Sequence, residues 1–156
     1  MIRAIFTSES SGSQLRFHNN AELLKGKGIK GDRYFSGKGK YSGIKKWDAN
    51  LTIISEEPFL ELKKKEGIFI DPKDLRRNII VKDTNLSEFV GREFKIGNEV
   101  ICKGRDYWPP CAYIVELTGH KEIFKYLARH CGIGVDVIKS GKIKRGDKLE
   151  LLNNTI

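Results

Sequence analysis

The stretch "REFKIGNEVICK", residues 92–103, decides the fold class. Phe94 and Ile96 alternate with charged neighbours before Gly97-Asn98, and Val100 and Cys102 alternate after it. Alternation is the period of a half-buried strand, and glycine beside asparagine suits a tight hairpin turn. "GKIKRGDKLELL" at 141–152 has the same plan, with alternating apolar residues around Gly146-Asp147. "GIGVDVIKSG" adds another strand, with Ile133, Val135 and Val137 on one side. Upstream, "MIRAIFTS" reads as a first strand with Ile2, Ala4 and Phe6 on one face and Arg3 on the other. "LTIIS" at 51–55 reads as a buried strand and "NIIVKD" at 78–83 as the next.

Helices are few. Ser55 is placed to cap a helix opening on Glu56, Glu57 and Pro58, which Phe59, Leu60 and Leu62 pack and Gly67 ends. A second helix is expected near 119–130, where Ile123, Phe124 and Leu127 form one apolar stripe. Many short strands, frequent turn signals and two or three short helices predict a mainly β domain. The expected architecture is a closed or nearly closed β-barrel, a form without exposed strand edges.

At 156 residues the chain is long enough for one ordinary domain with a real core, and no linker or low-complexity segment divides residues 1–156. No apolar run approaches bilayer length and the N-terminus has no secretory pattern, so a cytoplasmic protein with no membrane partner is expected. Cys102, Cys111 and Cys131 are odd in number and widely spaced, which suits free thiols in a reducing compartment.

Most of the net charge of +9 gathers between Lys25 and Lys46, where eight basic residues and six glycines accompany a single acid, Asp32. A cationic glycine-rich loop suits an anion, although lysine runs more commonly serve only as solvated surface. Within it, "GKGIKG" at 26–31 has the letters of a dinucleotide fingerprint. It precedes "DRYFSGKGK" rather than a helix, so that reading fails, and Asp32 stands where a Walker A loop needs lysine. Zinc is set aside as well. The cysteines and His18, His120 and His130 include no close chelating pair, and the adjacency of His130 and Cys131 is poor chelating geometry.

Cys102, in a strand, reads as a small apolar side chain, and Cys131 as a structural cysteine at a helix C-terminus. Cys111 differs. In "GRDYWPPCAYI" it follows Pro109 and Pro110, whose rings fix the backbone and hold Trp108 extended. "AYIVEL" reads as the first turns of a short helix, so the thiol sits where backbone dipoles favour a thiolate. Arg105, Arg33 or Arg76, if near, would favour it further. The alternative is a buried, inert cysteine. In "DLRRNIIV", Arg76 and Arg77 open a strand and point to opposite faces, so one turns inward. An inward arginine takes either a phosphate or an internal carboxylate such as Asp32 or Glu56.

In this order, "GIKGDRYF", "LTIISEE", "LRRNIIV", "LSEFVGREFKIGNEVIC", "PPCAYIVELTG" and "GIGVDVIKSGKIKRGDKLEL" resemble segments of the MOSC domain, named after the C-terminal domain of molybdenum-cofactor sulfurases. The resemblance implies a β-barrel and a role in sulfur transfer or in binding a molybdenum–pterin cofactor. It implies that Cys111 is the sulfur carrier or, if molybdenum binds, its ligand. Asp32, Arg33, Arg77 and Asn78 match the polar motif positions, and Lys30 lies beside them. Trp108, with Tyr107, is placed to stack on a flat pterin, or else to pack the barrel. This chain has Tyr34 where the family often has histidine, and Gly134 and Asp136 on a closing strand that often bears arginine. Pyridoxal phosphate, which serves the separate desulfurase domain of full-length sulfurases, is not expected here. Implied partners are a sulfur donor such as a cysteine desulfurase and, as acceptor, the molybdenum–pterin cofactor or a molybdoenzyme. The rival reading is a basic module binding RNA or another polyanion through the 25–46 loop, with Tyr34, Phe35, Tyr41 and Trp47 interleaved. No RNA-binding motif accompanies it.

Overall fold

A computed structural model describes residues 1–40, 42–44, 48–108, 115–116, 119, 121 and 123–153, with the side chains of Ile123 and Phe124 excepted. Cys111, Pro109 and Pro110 lie outside the described residues, as do Tyr41 and Trp47 of the basic loop.

The strands are β1 (Ile2–Thr7), β2 (Arg16–His18), β3 (Asn20–Leu24), β4 (Gly28–Ile29), β5 (Leu51–Ser55), β6 (Ile79–Val81), β7 (Glu93–Ile96), β8 (Val100–Tyr107), β9 (Ile133–Lys139), β10 (Gly141–Lys144) and β11 (Leu149–Leu151). Helix α1 spans Glu57–Glu66, and a short turn, α2, spans Ile123–Tyr126. An eight-stranded mixed sheet runs β11-β7-β8-β9-β5-β6-β1-β2, and a three-stranded sheet runs β10-β3-β4.

The Gly97-Asn98 hairpin forms as read: Phe94 pairs with Cys102 and Ile96 with Val100. Its likeness at 141–152 does not fold that way. β10 pairs with β3 and β11 with β7, so the Gly146 turn is a corner between sheets. Besides the Asp147 N to Lys144 carbonyl bond within it, that turn bonds to β1: Gly146 N donates to the Ile2 carbonyl, and Ile2 N to that of Asp147. The ladders among the described residues therefore form two sheets, and a closed ring is not among them. The mainly β class with a large mixed sheet stands.

β5 is buried on both faces because each meets a different core. Leu51 and Ile53 join the main core with Ile79, Phe94, Val100, Val135 and others, between the two sheets. Ile54 joins a second cluster with Phe59, Leu62, Leu75 and Leu127. α1 crosses between β5 and β6, which lets those two strands run parallel. Gly67 ends α1 in the left-handed region at φ 67°, its N–H donating to the Lys63 carbonyl. Leu60, expected to pack, is exposed. Ser55 does not cap the helix: Glu56 is the N-cap, and the Ser55 hydroxyl donates to the Thr84 carbonyl at 2.7 Å. The face assignment in β1 also shifts. An irregular register between Ile2 and Ala4 puts Ile2 and Ile5 in the main core, and Ala4 and Phe6 against the second cluster.

Candidate functional site

The turn after β4 brings Asp32 beneath the end of β1. Its carboxylate accepts from Ser8 N at 3.1 Å and Tyr34 N at 3.2 Å, and it pairs with Arg33 at 3.2 Å. Arg33 also donates to the Ser8 hydroxyl and, at 2.7 Å, to the Arg76 carbonyl. Asp32 and Arg33 are both buried, so this ion pair is held by backbone and hydroxyl partners on every side. Arg76 sits in the left-handed region at φ 59° as the C-cap of a 3-10 turn, Pro72–Leu75. Its guanidinium donates to the Ser13 carbonyl.

Arg77 is the inward arginine. Its Nε donates to the Cys131 carbonyl at 2.7 Å, Nη1 to Leu75 at 3.1 Å and Nη2 to Trp108 at 3.3 Å. One buried fork thus ties the approach to β6, the segment before β9 and the end of β8. Trp108 N donates in turn to the Gly132 carbonyl. The Trp108 ring, 3% exposed, meets Tyr34 edge-on at 6.3 Å between centroids, and Tyr34 carries the Arg33 guanidinium 4.6 Å above its ring. Gly134 leaves room for this ring, since a Cβ there would come within 2.8 Å of Trp108 Cε3.

Asn78 is a strand tie. Its side-chain oxygen accepts from Thr52 N at 3.0 Å, and its side-chain nitrogen donates to the Phe6 carbonyl at 3.1 Å, joining β5 to β1. Lys30 stands apart in an exposed ion pair with Glu22 at 3.9 Å. Arg105 pairs with Asp136 at 3.5 Å, and burial raises the Asp136 carboxyl above its ordinary range against the pull of that arginine.

Asp32, Arg33, Arg77, Asn78 and Trp108 thus share one hydrogen-bonded and packed region. Cys111 lies outside the described residues. Sequence reasoning missed Ser8, whose backbone N–H and hydroxyl both serve the Asp32–Arg33 pair. A serine in "TSESSGS" carries no local signal of such a role. In the basic loop, Tyr34 is occupied by Arg33 and Trp108, and Phe35 lies beneath the Lys27 ammonium at 5.6 Å.

Cys102 and Cys131 are buried, and burial pushes each thiol up to about 12. For Cys131 the nearby Arg77 charge opposes that rise without cancelling it, and its Sγ donates to the Leu127 carbonyl. At pH 8 such a thiol is ionised to about one part in ten thousand, against about a quarter for an unperturbed one. In native Cys111→Ser, a disulfide-exchange reagent is therefore expected to find no fast-reacting thiol, and two after denaturation. Fast labelling of the native variant would contradict this assignment.

Known proteins give the same fold. The structure is similar to that of the YuaD protein from Bacillus subtilis, with a TM-score of 0.77 at 17% identity over 97% of this chain and 98% of that one. It is similar to YiiM from Escherichia coli, at 0.63 and 17% over 99% of this chain and 71% of that one. YiiM from Geobacillus stearothermophilus gives 0.67 and 12% over 98% and 75%. No curated protein sequence gives a significant match. The MOSC domain model matches residues 25–150, which takes in the Asp32–Arg33 turn, the Arg77-Asn78 pair and the strands from β5 to β10, so the chain belongs to the MOSC domain family.

Proposed function

We propose that this MOSC-type protein is a sulfur carrier, accepting sulfane sulfur on Cys111 as a persulfide and passing it to an acceptor. The observation that carries the reading is the buried Arg77 guanidinium on the Trp108 carbonyl, three residues ahead of Cys111. Three residues of chain reach about 11 Å at most. A cation fixed at the root of the segment favours the thiolate form that attacks sulfur. In this reading the two sheets act as a nearly closed barrel that holds Arg77 and Trp108 in place.

The step balances without an outside oxidant. The Cys111 thiolate attacks the terminal sulfur of a donor persulfide, the donor's S–S bond breaks, and the donor leaves as its own thiolate. The sulfur arrives at the oxidation level it keeps. A cysteine desulfurase is a donor of the right chemistry, and a molybdoenzyme or its cofactor is the acceptor that the family suggests.

As placed, Arg33, Arg77, Lys30 and Trp108 do not fit the anionic end of a molybdenum–pterin cofactor. Arg33 and Arg77 are each 4% exposed and engaged with Asp32, Ser8 and backbone carbonyls. Lys30 faces Glu22, and the Trp108 ring is buried. The sulfur-carrier reading accordingly takes no step through that group.

Incubation with a cysteine desulfurase and cysteine is expected to add one sulfur, about 32 Da, to the wild type and none to Cys111→Ser. Equal labelling of the two rejects the carrier role. Native mass spectrometry of freshly isolated protein showing bound metal or pterin, with no persulfide, would replace it with molybdenum ligation through Cys111.

A further inference from the structure

β2 is an end strand of the eight-stranded sheet, and its middle residue turns its backbone outward. Phe6 N donates to the Asn78 carbonyl, so the backbone of Phe6 faces β6. In an antiparallel ladder its partner Phe17 then points its own N–H and C=O away from β1. Neither group has a hydrogen-bond partner among the described residues. The strand is held from its other side, where Thr7 and His18 share a 2.7 Å hydrogen bond. The Phe17 ring stands on the same face as that of Phe6, edge-on at 5.8 Å, and Phe17 is 51% exposed. Both line a groove of about 440 Å³ with Leu15, Lys73, Asp74 and Arg76. An open strand edge beside an apolar groove suits an added strand, which pairs its backbone on the edge and seats one side chain in the groove.

Charge and ring chemistry narrow the class of strand. Arg145 sits over the Phe17 ring at 5.4 Å, and its guanidinium donates to neutral oxygens, the Arg3 carbonyl and Asn19 Oδ1. Lys73 is exposed at the groove, where Asp74 is the one acid of the lining. A second copy pairing on this edge would set two Arg145 guanidiniums against one pair of rings, which charge opposes. An acidic strand meets the opposite sign, and the two phenylalanine rings suit an aromatic anchor. We infer that β2 docks an extended acidic segment of another protein, paired to the Phe17 backbone. An aromatic side chain of that segment enters the groove, and carboxylates two residues to either side reach toward Arg145 and Lys73. The inference goes beyond the sulfur-carrier reading, does not use Cys111, and is tested without sulfur transfer.

Fluorescence anisotropy with the peptide Glu-Val-Phe-Val-Glu, labelled with fluorescein at its N-terminus and amidated at its C-terminus, tests it. Binding is expected below about 1 mM. The peptides Lys-Val-Phe-Val-Lys and Glu-Val-Ala-Val-Glu, and the first peptide N-methylated on its phenylalanine, are expected to bind at least about tenfold more weakly. Phe17→Ala is expected to weaken binding at least about tenfold. Lys73→Glu, at an exposed position, is expected to weaken it about fivefold and carries the test if Phe17→Ala fails to fold. Hydrogen exchange of the Phe17 amide should slow when the peptide is bound. Absence of binding at about 1 mM, equal binding by the charge-reversed or N-methylated peptide, or unchanged binding to folded Phe17→Ala would overturn the assignment. So would a dimer of the free protein that Phe17→Ala dissolves, since a second copy would then hold the edge.

Discussion

Gly132→Ala is expected to cost about 4 kcal/mol or more, among the largest effects available to one methyl group. Two independent penalties meet at this position. The backbone sits at φ 99°, where a side chain is strained whatever the space around it. A Cβ would also fall well inside van der Waals contact with the Ile53 carbonyl oxygen and 3.3 Å from Ile54 Cβ. Ile53 belongs to the buried β5 and pairs with Ile133, so neither backbone has room to give. Gly132 further supplies the carbonyl that accepts from Trp108 N, and a shift there would disturb the end of β8. Gly146→Ala separates the two penalties. That residue lies at φ 90° with open space where its Cβ would point, so its cost should be the strain alone, about 1–2 kcal/mol. In urea unfolding, Gly132→Ala should lower the midpoint by about 2 M with little change in slope, or fail to fold. Equal losses for the two variants would show that the close approach to β5 contributes nothing.

Neither penalty is visible in the string of residues, and the reason applies to the fold as a whole. Local periodicity was legible wherever one strand face meets one core: the β7–β8 hairpin, β9 and the end of α1 at Gly67 follow from neighbours in sequence. What depends on distant partners was not. Residues 141–152 carry the same alternation as 92–103, yet the turn at Gly146 bonds to Ile2 and sends its arms to different sheets. β2 shows no clean alternation because it is three residues long and mostly exposed, while β3 alternates only over Asn20–Leu23 and exists through its pairing with β10 and β4. The candidate site divides in the same way. Residue type alone pointed only to an inward arginine at 76 or 77, and the resemblance to the MOSC segments marked Asp32, Arg33, Arg77 and Asn78 as polar motif positions. Their burial, and the use of Asn78 to tie β5 to β1, came only with the tertiary structure.

Arg77→Met is expected to cost about 3–5 kcal/mol, because it removes a buried charged donor from three carbonyls at once. The partners come from far along the chain: the Cys131 carbonyl is 54 residues away and that of Trp108 is 31 away. Methionine is unbranched and of comparable length, so the volume is nearly kept while the donors are lost. Loss of charge-assisted bonds to Cys131, Leu75 and Trp108 would loosen the segment before β9 and the end of β8 together. Arg77→Lys retains the charge as a single point on a flexible stem and cannot span three carbonyls in fixed directions. It is expected to recover about half of the lost stability. The pair of variants also bears on the proposed carrier role. If the fork matters chiefly by fixing the Trp108 carbonyl, folded Arg77→Lys should accept sulfur from a desulfurase several-fold more slowly than wild type despite its preserved charge. If charge alone matters, its labelling rate should match the wild type while its urea midpoint still falls. An Arg77→Met midpoint within about 0.5 M of wild type would mean that these hydrogen bonds do not hold the region together.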